Sequence, residues 1–528
     1  MTDRRKTTDS YLLFVEDDHG AALPFVAVIL VLLLGMAALA TDLGWLYLNG
    51  SRVQRATDSA ALAGVVHLPS DAAGVTANAV GGANLNGWNV GSVNGGPVAG
   101  GGTDVLTWRQ LADNRLEVTL RANVRTFFMS LFGFEEFNIS RTSTAEYVKP
   151  VPIGSPTNTF GDGSNNFWGS INGRWTAHIQ GDPYQTVCDW SRSLSDAGCV
   201  DSSADNQAAF FPGATILPGD VDPDSDDLNP EFLGDGYHYG IEIEDNRSSF
   251  RVELFDPRFQ RPDTGGCGTD LTEPTGDCDF LSFSPEPPTG ADPIGPTTRY
   301  RLYQPDTTPL NPKDNSVLLC DDEFDPTSDP GAVGVHEWVD LCTLSNPDPG
   351  IYVLKVTTSD GSGSNQYGVR ASTVGPGTNE TNVYGIDVIS IYTNQDSTTA
   401  TLYLAEVDPI HADKTLELRF YDAGEDNAAA SYTVRQPDGS TANCEWESDG
   451  GESGGPGACI IDTAQLGAAR FNGQWLTAFV DIPQGYECDI DLPLDCWWSM
   501  EIVNNQPHDR TTWAVRVIGN PVHLVPNE

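Results

Sequence analysis

The sequence is short of positive charge and, over its first 187 residues, has no cysteine at all. Only five lysines occur, Lys6, Lys149, Lys313, Lys355 and Lys414, and 28 basic residues face 74 acidic ones, for a formal charge of −46. A surface this acidic repels phosphate backbones, which excludes nucleic acid as a partner. No two cysteines have the C-x₂-C spacing of a zinc site. The eight histidines (His19, His67, His178, His238, His336, His411, His508 and His523) include no i, i+4 metal pair. Glycine and proline are abundant at 54 and 35, yet 12 Trp, 21 Phe and 16 Tyr argue against disorder, which is poor in aromatics. A chain of 528 residues has room for about three or four domains.

What is present begins with one long apolar run. Ala21 to Ala40 carries no charge, and eleven of its residues are Leu, Ile, Val or Phe. As a helix it would reach about 30 Å, the hydrocarbon thickness of a bilayer. Pro24 would sit in the first turn, where its missing N–H costs little. Arg4, Arg5 and Lys6 before the run slightly outweigh Arg52 and Arg55 after it, which favours an inside N-terminus.

The ten cysteines all lie distal to this run, an even number that fits disulfides in an oxidising compartment outside the membrane. A cleaved signal peptide is the rival reading, because Ala38-Leu39-Ala40 is an A-x-A site with Thr41 as the new N-terminus. Against it, the run exceeds a usual signal core. The helical pattern also continues through Val53, Ala56, Ala60 and Ala63 to a stop at Gly64.

Asp18-His-Gly20, Leu23-Pro24, Gly35-Met-Ala-Ala-Leu-Ala40, Asp42-Leu-Gly44, Tyr47 and Gln54-Arg-Ala-Thr-Asp-Ser-Ala-Ala-Leu-Ala-Gly64 together resemble the N-terminus of TadG-like proteins of the tight-adherence (Flp) pilus-assembly system. Arg115-Leu-Glu-Val-Thr-Leu120, Thr126-Phe-Phe-Met-Ser-Leu-Phe-Gly133 and Ile139-Ser-Arg-Thr-Ser-Thr-Ala145 extend the likeness as strand, short helix and strand, so that it covers about residues 18 to 148. The resemblance implies a membrane-held pilus-assembly component, with the lipid bilayer and other Tad components as partners. Pilin precursors of this kind carry Glu five residues after the cleavage glycine. With Gly20 in that place Phe25 stands there, so an uncleaved component fits better than a pilin subunit.

Residues 68–103 are rich in Gly, Asn, Ala and Val and read as loops and short strands. Beyond Pro150, short alternating runs such as Tyr239-Gly-Ile-Glu-Ile243, Phe250-Arg-Val-Glu-Leu-Phe255 and Ile351-Tyr-Val-Leu-Lys-Val356 predict half-buried strands of β-sandwiches. Three motifs recur in order: Phe250–Asp256 with Leu416–Asp422, Tyr300–Asp306 with Tyr432–Asp438, and Tyr367–Arg370 with Trp513–Arg516. They predict a diverged duplication with its boundary in Val374–Asn382. The repeat and its insertions favour sequential disulfides: Cys188–Cys199, Cys267–Cys278, Cys320–Cys342, Cys444–Cys459 and Cys488–Cys496.

Three further patterns admit chemistry. Asp220, Asp222, Asp224, Asp226 and Asp227 offer alternating carboxylates for a structural Ca²⁺, without the central Gly and final Glu of an EF-hand. Gly451-Glu-Ser-Gly-Gly-Pro456 resembles a serine-protease nucleophile loop, with His178 as its base. The two fall in different repeat copies, however, and a Gly-rich loop is the simpler account. Trp168, Trp175, Trp190, Trp497 and Trp498 suit a glycan-binding face, or more simply a core.

The sequence therefore reads as an α+β chain: a cytoplasmic tail (1–20), a transmembrane helix (21–40), a helix extension with a small pilin-like α/β module (41–150), and two related β-sandwich domains (151–375 and 382–528). Its expected role is structural and not enzymatic, without a cofactor, in the cytoplasmic membrane with its bulk outside. The alternatives are an envelope-anchored adhesin binding surface glycans or proteins, and a secreted hydrolase dependent on Ser453.

Overall fold

The computed structural model describes residues 19–69, 71–112, 114–163, 167–173, 233, 235–243, 247–260, 279, 295–306, 312–327, 329, 331–358, 364–375, 381–394, 399–421, 431–463, 471, 474–490, 492, 494–503, 508–519 and 522–526. The chain divides into two compact units, Met1–Tyr147 with Val522–Glu528, and Val148–Pro521.

In the first unit α1 (His19–Val65) is a single helix of 47 residues. It joins the apolar run to the Ala-rich segment without a break. Pro24, expected in the first turn, lies inside the helix. α2 (Ala72–Leu85) occupies a stretch whose composition reads as loop and short strand. Packing overrides that low propensity. The Asp71 carboxylate caps the helix by accepting from Gly74 N at 2.7 Å. Val75, Ala79, Gly82 and Ala83 are buried, and a Cβ on Gly82 would come 2.8 Å from the Ser59 carbonyl oxygen of α1. The small residues that disguise this helix are what let it approach its neighbour.

Behind the helices lie β1 (Val90–Val93), β2 (Gly96–Pro97), β3 (Asp104–Ala112), β4 (Arg115–Arg125) and β5 (Glu136–Tyr147). The final strand of the chain, Val522–Val525, completes the sheet in the order β2-β1-β3-β4-β5-final. On β4 every second residue is buried, Leu116, Val118, Leu120, Ala122 and Val124, as alternation requires of a sheet with one covered face. A short 3₁₀ turn, Met129–Phe132, joins β4 to β5. This is the strand, short helix, strand order read from the sequence.

Among the described residues of the second unit the strands pair in antiparallel ladders. Two short strands, β6 (Pro152–Ile153) and β7 (Thr159–Phe160), precede β8 (Trp168–Asn172), β9 (Tyr237–Ile243), β10 (Ser249–Phe255), β11 (Thr298–Tyr303), β12 (Leu318–Phe324), β13 (Trp338–Ser345), β14 (Gly350–Thr358) and β15 (Ser364–Val374). After β16 (Val383–Ile386) come β17 (Val388–Asn394), β18 (Thr399–Glu406), β19 (Thr415–Tyr421), β20 (Ser431–Arg435), β21 (Asn443–Ser448), β22 (Ser453–Ala458), β23 (Ile460–Asp462), β24 (Trp475–Asp481), β25 (Trp497–Val503) and β26 (His508–Val517).

The first series pairs as β13-β10-β15-β8 in one sheet and β12-β11-β14-β9 in the other, and the second as β24-β19-β26-β17 and β23-β20-β25-β18. Over these eight strands the orders agree position by position, each being that of a jelly roll of two facing sheets, and in the second series β21 and β22 extend one sheet beyond β24. Rings meet between the sheets: Phe250 with Tyr352 at 4.8 Å in the first series, Phe420 with Tyr432 at 5.8 Å in the second.

The boundary expected in 374–382 falls between β15 and β16, but the sheets run across it. β8 pairs with β15 on one side and β17 on the other. β16 and β6 bridge β9 to β18. Residues 151–375 and 382–528 are thus not two separate bodies. Joining the inner edges removes two exposed strand rims, one continuous core results, and residues 522–525 leave for the other unit.

Candidate functional site

The first unit contains the feature that most needs a partner. From Phe25 to Leu39 the large apolar side chains of α1 are bare, Phe25 being 71 % exposed and Leu32 61 %. The mean hydropathy of the most apolar window is 2.5, and none of it is buried by protein. An uninterrupted apolar surface of this size is unstable in water and suits hydrocarbon.

Between three and four turns beyond the run the helix becomes a structural post. Val53, Ala56, Ala60, Ala61 and Val65 are fully buried. Gln54 Nε2 donates to Asp58 Oδ1 at 2.8 Å and to Ser143 Oγ on β5 at 2.9 Å, and the Ser143 hydroxyl donates back to Asp58. The Gln-x-Ala-x-Asp-x-Ala-Ala pattern thereby acquires a physical meaning. Its alanines are buried, Ala60 against Gly82 of α2, and its two polar residues fix the helix rotation on β5.

Asp42 sits at the junction, wholly buried. Its carboxylate accepts three backbone N–H groups, from Phe127 at 3.0 Å, Phe128 at 2.9 Å and Met129 at 2.6 Å. These are donors at the start of the 3₁₀ turn, which would otherwise lack acceptors. The Trp45 ring stands 5.3 Å from Phe127, and the Arg52 guanidinium lies over Trp45 at 5.6 Å. Sequence reading recognised Asp42 and Thr126–Gly133 separately and missed this clasp. An uncharged Phe-rich run and a carboxylate beside a span were the available signals.

In the second unit, Cys320 on β12 bonds Cys342 on β13, and Cys444 on β21 bonds Cys459 just before β23, with Cα separations of 5.9 and 4.9 Å. Each bridge ties one facing sheet to the other, the first at their outer rims and the second from β21, one strand inside the outermost β22. Cys488 bonds Cys496 across a short loop, Cα separation 5.3 Å. The pairs Cys188–Cys199 and Cys267–Cys278, the acidic run Asp220, Asp222, Asp224, Asp226 and Asp227, and His178, Trp175 and Trp190 lie outside the described residues.

Ser453 is exposed on β22 opposite Glu447. Its neighbouring glycines have a packing reason: a Cβ on Gly454 would come 2.5 Å from Trp446 Nε1, and one on Gly455 2.5 Å from the Cys444 carbonyl. Trp168, Trp497 and Trp498 are buried in the core and offer no open aromatic face.

Residues 20–74, the helix, its post and the start of α2, match the family model described as "Putative Flp pilus-assembly TadE/G-like". The N-terminal region is TadG-like. No curated protein matches the chain. A solved structure, the infectious bursal disease virus VP2 subviral particle, aligns at 13 % identity over 56 % of this chain and 80 % of that one, with a TM-score of 0.07, too slight a likeness to inform the fold. The matched residues are those of the bare apolar run and of the buried helix that follows it, Gln54 and Asp58 included, while their partner Ser143 lies beyond the match.

Proposed function

We propose that the chain is a single-pass structural component of a Tad/Flp pilus-assembly apparatus, holding a tandem jelly-roll head outside the cytoplasmic membrane. The observation that carries this is α1, whose first half has no protein cover and whose second half is built into a TadG-like module. Disulfides in the distal unit support an extracytoplasmic head, since such bonds persist outside the reducing cytoplasm. Continuity of α1 past Thr41, with Asp42 engaged by the Phe127–Met129 backbone, supports an uncleaved span. Other Tad components are its partners in this reading.

The test is fractionation of the native chain with protease treatment of spheroplasts. The expected result is a polypeptide that resists alkaline extraction, retains Met1–Ala40 and loses its distal unit to external protease. A product beginning at Thr41 in the medium would overturn the anchor. A second reading, an adhesive head, draws on Ile490, Leu492 and Leu494, which are 43 to 54 % exposed inside the loop closed by Cys488–Cys496. Binding of the native protein to cells or glycans, lost on Leu492→Asp, would support it.

A further inference from the structure

The link between β4 and β5 contains Thr126-Phe-Phe-Met-Ser-Leu-Phe-Gly-Phe134, nine residues without a charge. Five large side chains there stand in the open: Phe127 at 56 %, Phe128 at 43 %, Leu131 at 81 %, Phe132 at 79 % and Phe134 at 55 %. A soluble module has no reason to collect them at one tip. Their position along α1 supplies one. Phe128, Met129, Phe132 and Phe134 line, with Gly35, Ala38 and Leu39 of α1, a hollow of about 280 Å³. Gly35 to Leu39 belong to the last turn and a half of the charge-free run. At about 1.5 Å per residue, Gly35 lies roughly 7 Å inside the end of the run at Ala40.

We propose that this link is a second membrane contact, a foot dipping about 5–10 Å into the outer leaflet beside the span. The proposal rests on α1 being the membrane anchor. Backbone bookkeeping supports it independently. A non-helical segment enters lipid only when its polar groups are satisfied within the protein. Here the N–H groups of Phe127, Phe128 and Met129 go to Asp42. Leu131 N donates to the Phe128 carbonyl, Gly133 N to Ser130, Phe134 N to Met129 and Thr126 N to Glu135. The hydroxyls are likewise internal, Ser130 Oγ to the Phe127 carbonyl at 2.8 Å and Thr126 Oγ1 to that of Phe134. Charges resume at once on both sides, Arg125 before the link and Glu135 and Glu136 after it, which places the waterline. Asp42 is then a carboxylate that satisfies the foot's backbone where water cannot. The occupant of the apolar surface is lipid, because the surface is continuous with that of the span itself.

The test uses the full chain with its disulfides oxidised, reconstituted in phosphatidylcholine vesicles, with one added cysteine carrying an environment-sensitive fluorophore. Phe132→Cys reports the foot, Leu33→Cys the span, and Leu85→Cys, at a residue 90 % exposed on α2, the aqueous reference. The expected result is that the label at 132 is quenched by lipids carrying a shallow nitroxide. It should also react with an aqueous reductant at least ~5-fold more slowly than the label at 85, as an interfacial depth demands. Shielding at 33 with an aqueous label at 132 would overturn the foot while leaving the anchor intact. Aqueous labels at both would remove the anchor with it. Shielding at 132 without nitroxide quenching would place a second copy of the chain there and overturn the lipid assignment. Asp42→Asn, which keeps the shape but weakens acceptance, should move the label at 132 toward water, and an unmoved label would remove the clasp from the argument.

Discussion

The two strand series of the distal unit reach one topology with different interiors. Both place an acid on the third strand against an arginine on the last: Glu253 with Arg370 at 2.9 Å, and Glu417 with Arg516 at 2.8 Å. Both tie one facing sheet to the other with a disulfide. In the first series, however, the centre is tyrosine. Tyr239 and Tyr367 join hydroxyls at 2.5 Å, Tyr300 packs edge-on to Tyr367, and Asn365 donates to the Thr298 hydroxyl at 3.0 Å. In the second series Phe420 and Trp513 occupy this part of the core, at 6.0 Å and nearly perpendicular. Strand order thus persists where core chemistry changes, because alternation and edge pairing fix the former and only volume constrains the latter.

Truncating the core should break both halves most severely. Tyr367→Ala and Trp513→Ala are each expected to cost about 3–5 kcal/mol. Because the series share a core, a single unfolding transition for the distal unit is expected, read by denaturant titration with two probes. Two separated transitions would make the halves independent. Next in size are the two bridges between sheets. Closing loops of 22 and 15 residues, each contributes about 3 kcal/mol in the chain-entropy account, so Cys320→Ser with Cys342→Ser should match Cys444→Ser with Cys459→Ser in midpoint shift.

The tyrosine centre should respond where the other cannot. Tyr367→Phe leaves the Tyr239 hydroxyl buried without its partner and should cost about 1–3 kcal/mol, whereas Trp513→Phe loses volume alone. Acid should weaken both halves. Burial holds His238 and His411 down at about 4, from an ordinary value of 6.5. Their stabilising contribution is present above pH 6.5 and lost as pH falls toward 4, by no more than about 3 kcal/mol each. Glu406 has the opposite sign, burial raising it to about 7. It favours the fold below pH 4.5 and loses that advantage as pH rises to 7, so Glu406→Gln should flatten the upper part of the stability profile. The smallest effects belong to the ion pairs. Glu253→Gln and Glu417→Gln should each cost under about 1 kcal/mol, the first more, since Arg370 also stacks on Trp338 at 4.0 Å while Arg516 stands 72 % exposed.

The legible parts of this chain were the local ones. A charge-free run of helical length, a Gln-Ala-Asp-Ala pattern and period-two strands are written in consecutive residues, and α1, β4, β10 and β14 follow from them. The α2 helix was hidden because its Ala and Gly residues signal loop unless the surface they pack on is known. The strand partners were hidden because they are distant: Tyr367 of β15 sits opposite Gly169 of β8, and Phe127 donates to Asp42 across 85 positions. The duplication was visible as motifs but not in register. Motif likeness sets Phe250 against Leu416, whereas the Glu–Arg pairs, with Glu253 opposite Arg370 and Glu417 opposite Arg516, shift that match by two. A shift of two keeps every side chain on its own face, so hydrophobic pattern alone had no means to detect it.

The chain leaves the sheet of the first unit at Tyr147 and comes back to it at Val522, and those two residues are direct strand neighbours. A single nick anywhere in the intervening stretch would therefore produce two pieces, each still owning a strand of one sheet. Releasing the second unit from the first would take two cuts, one at each crossing, so a protease could nick its loops and still leave it tied to the first unit's sheet.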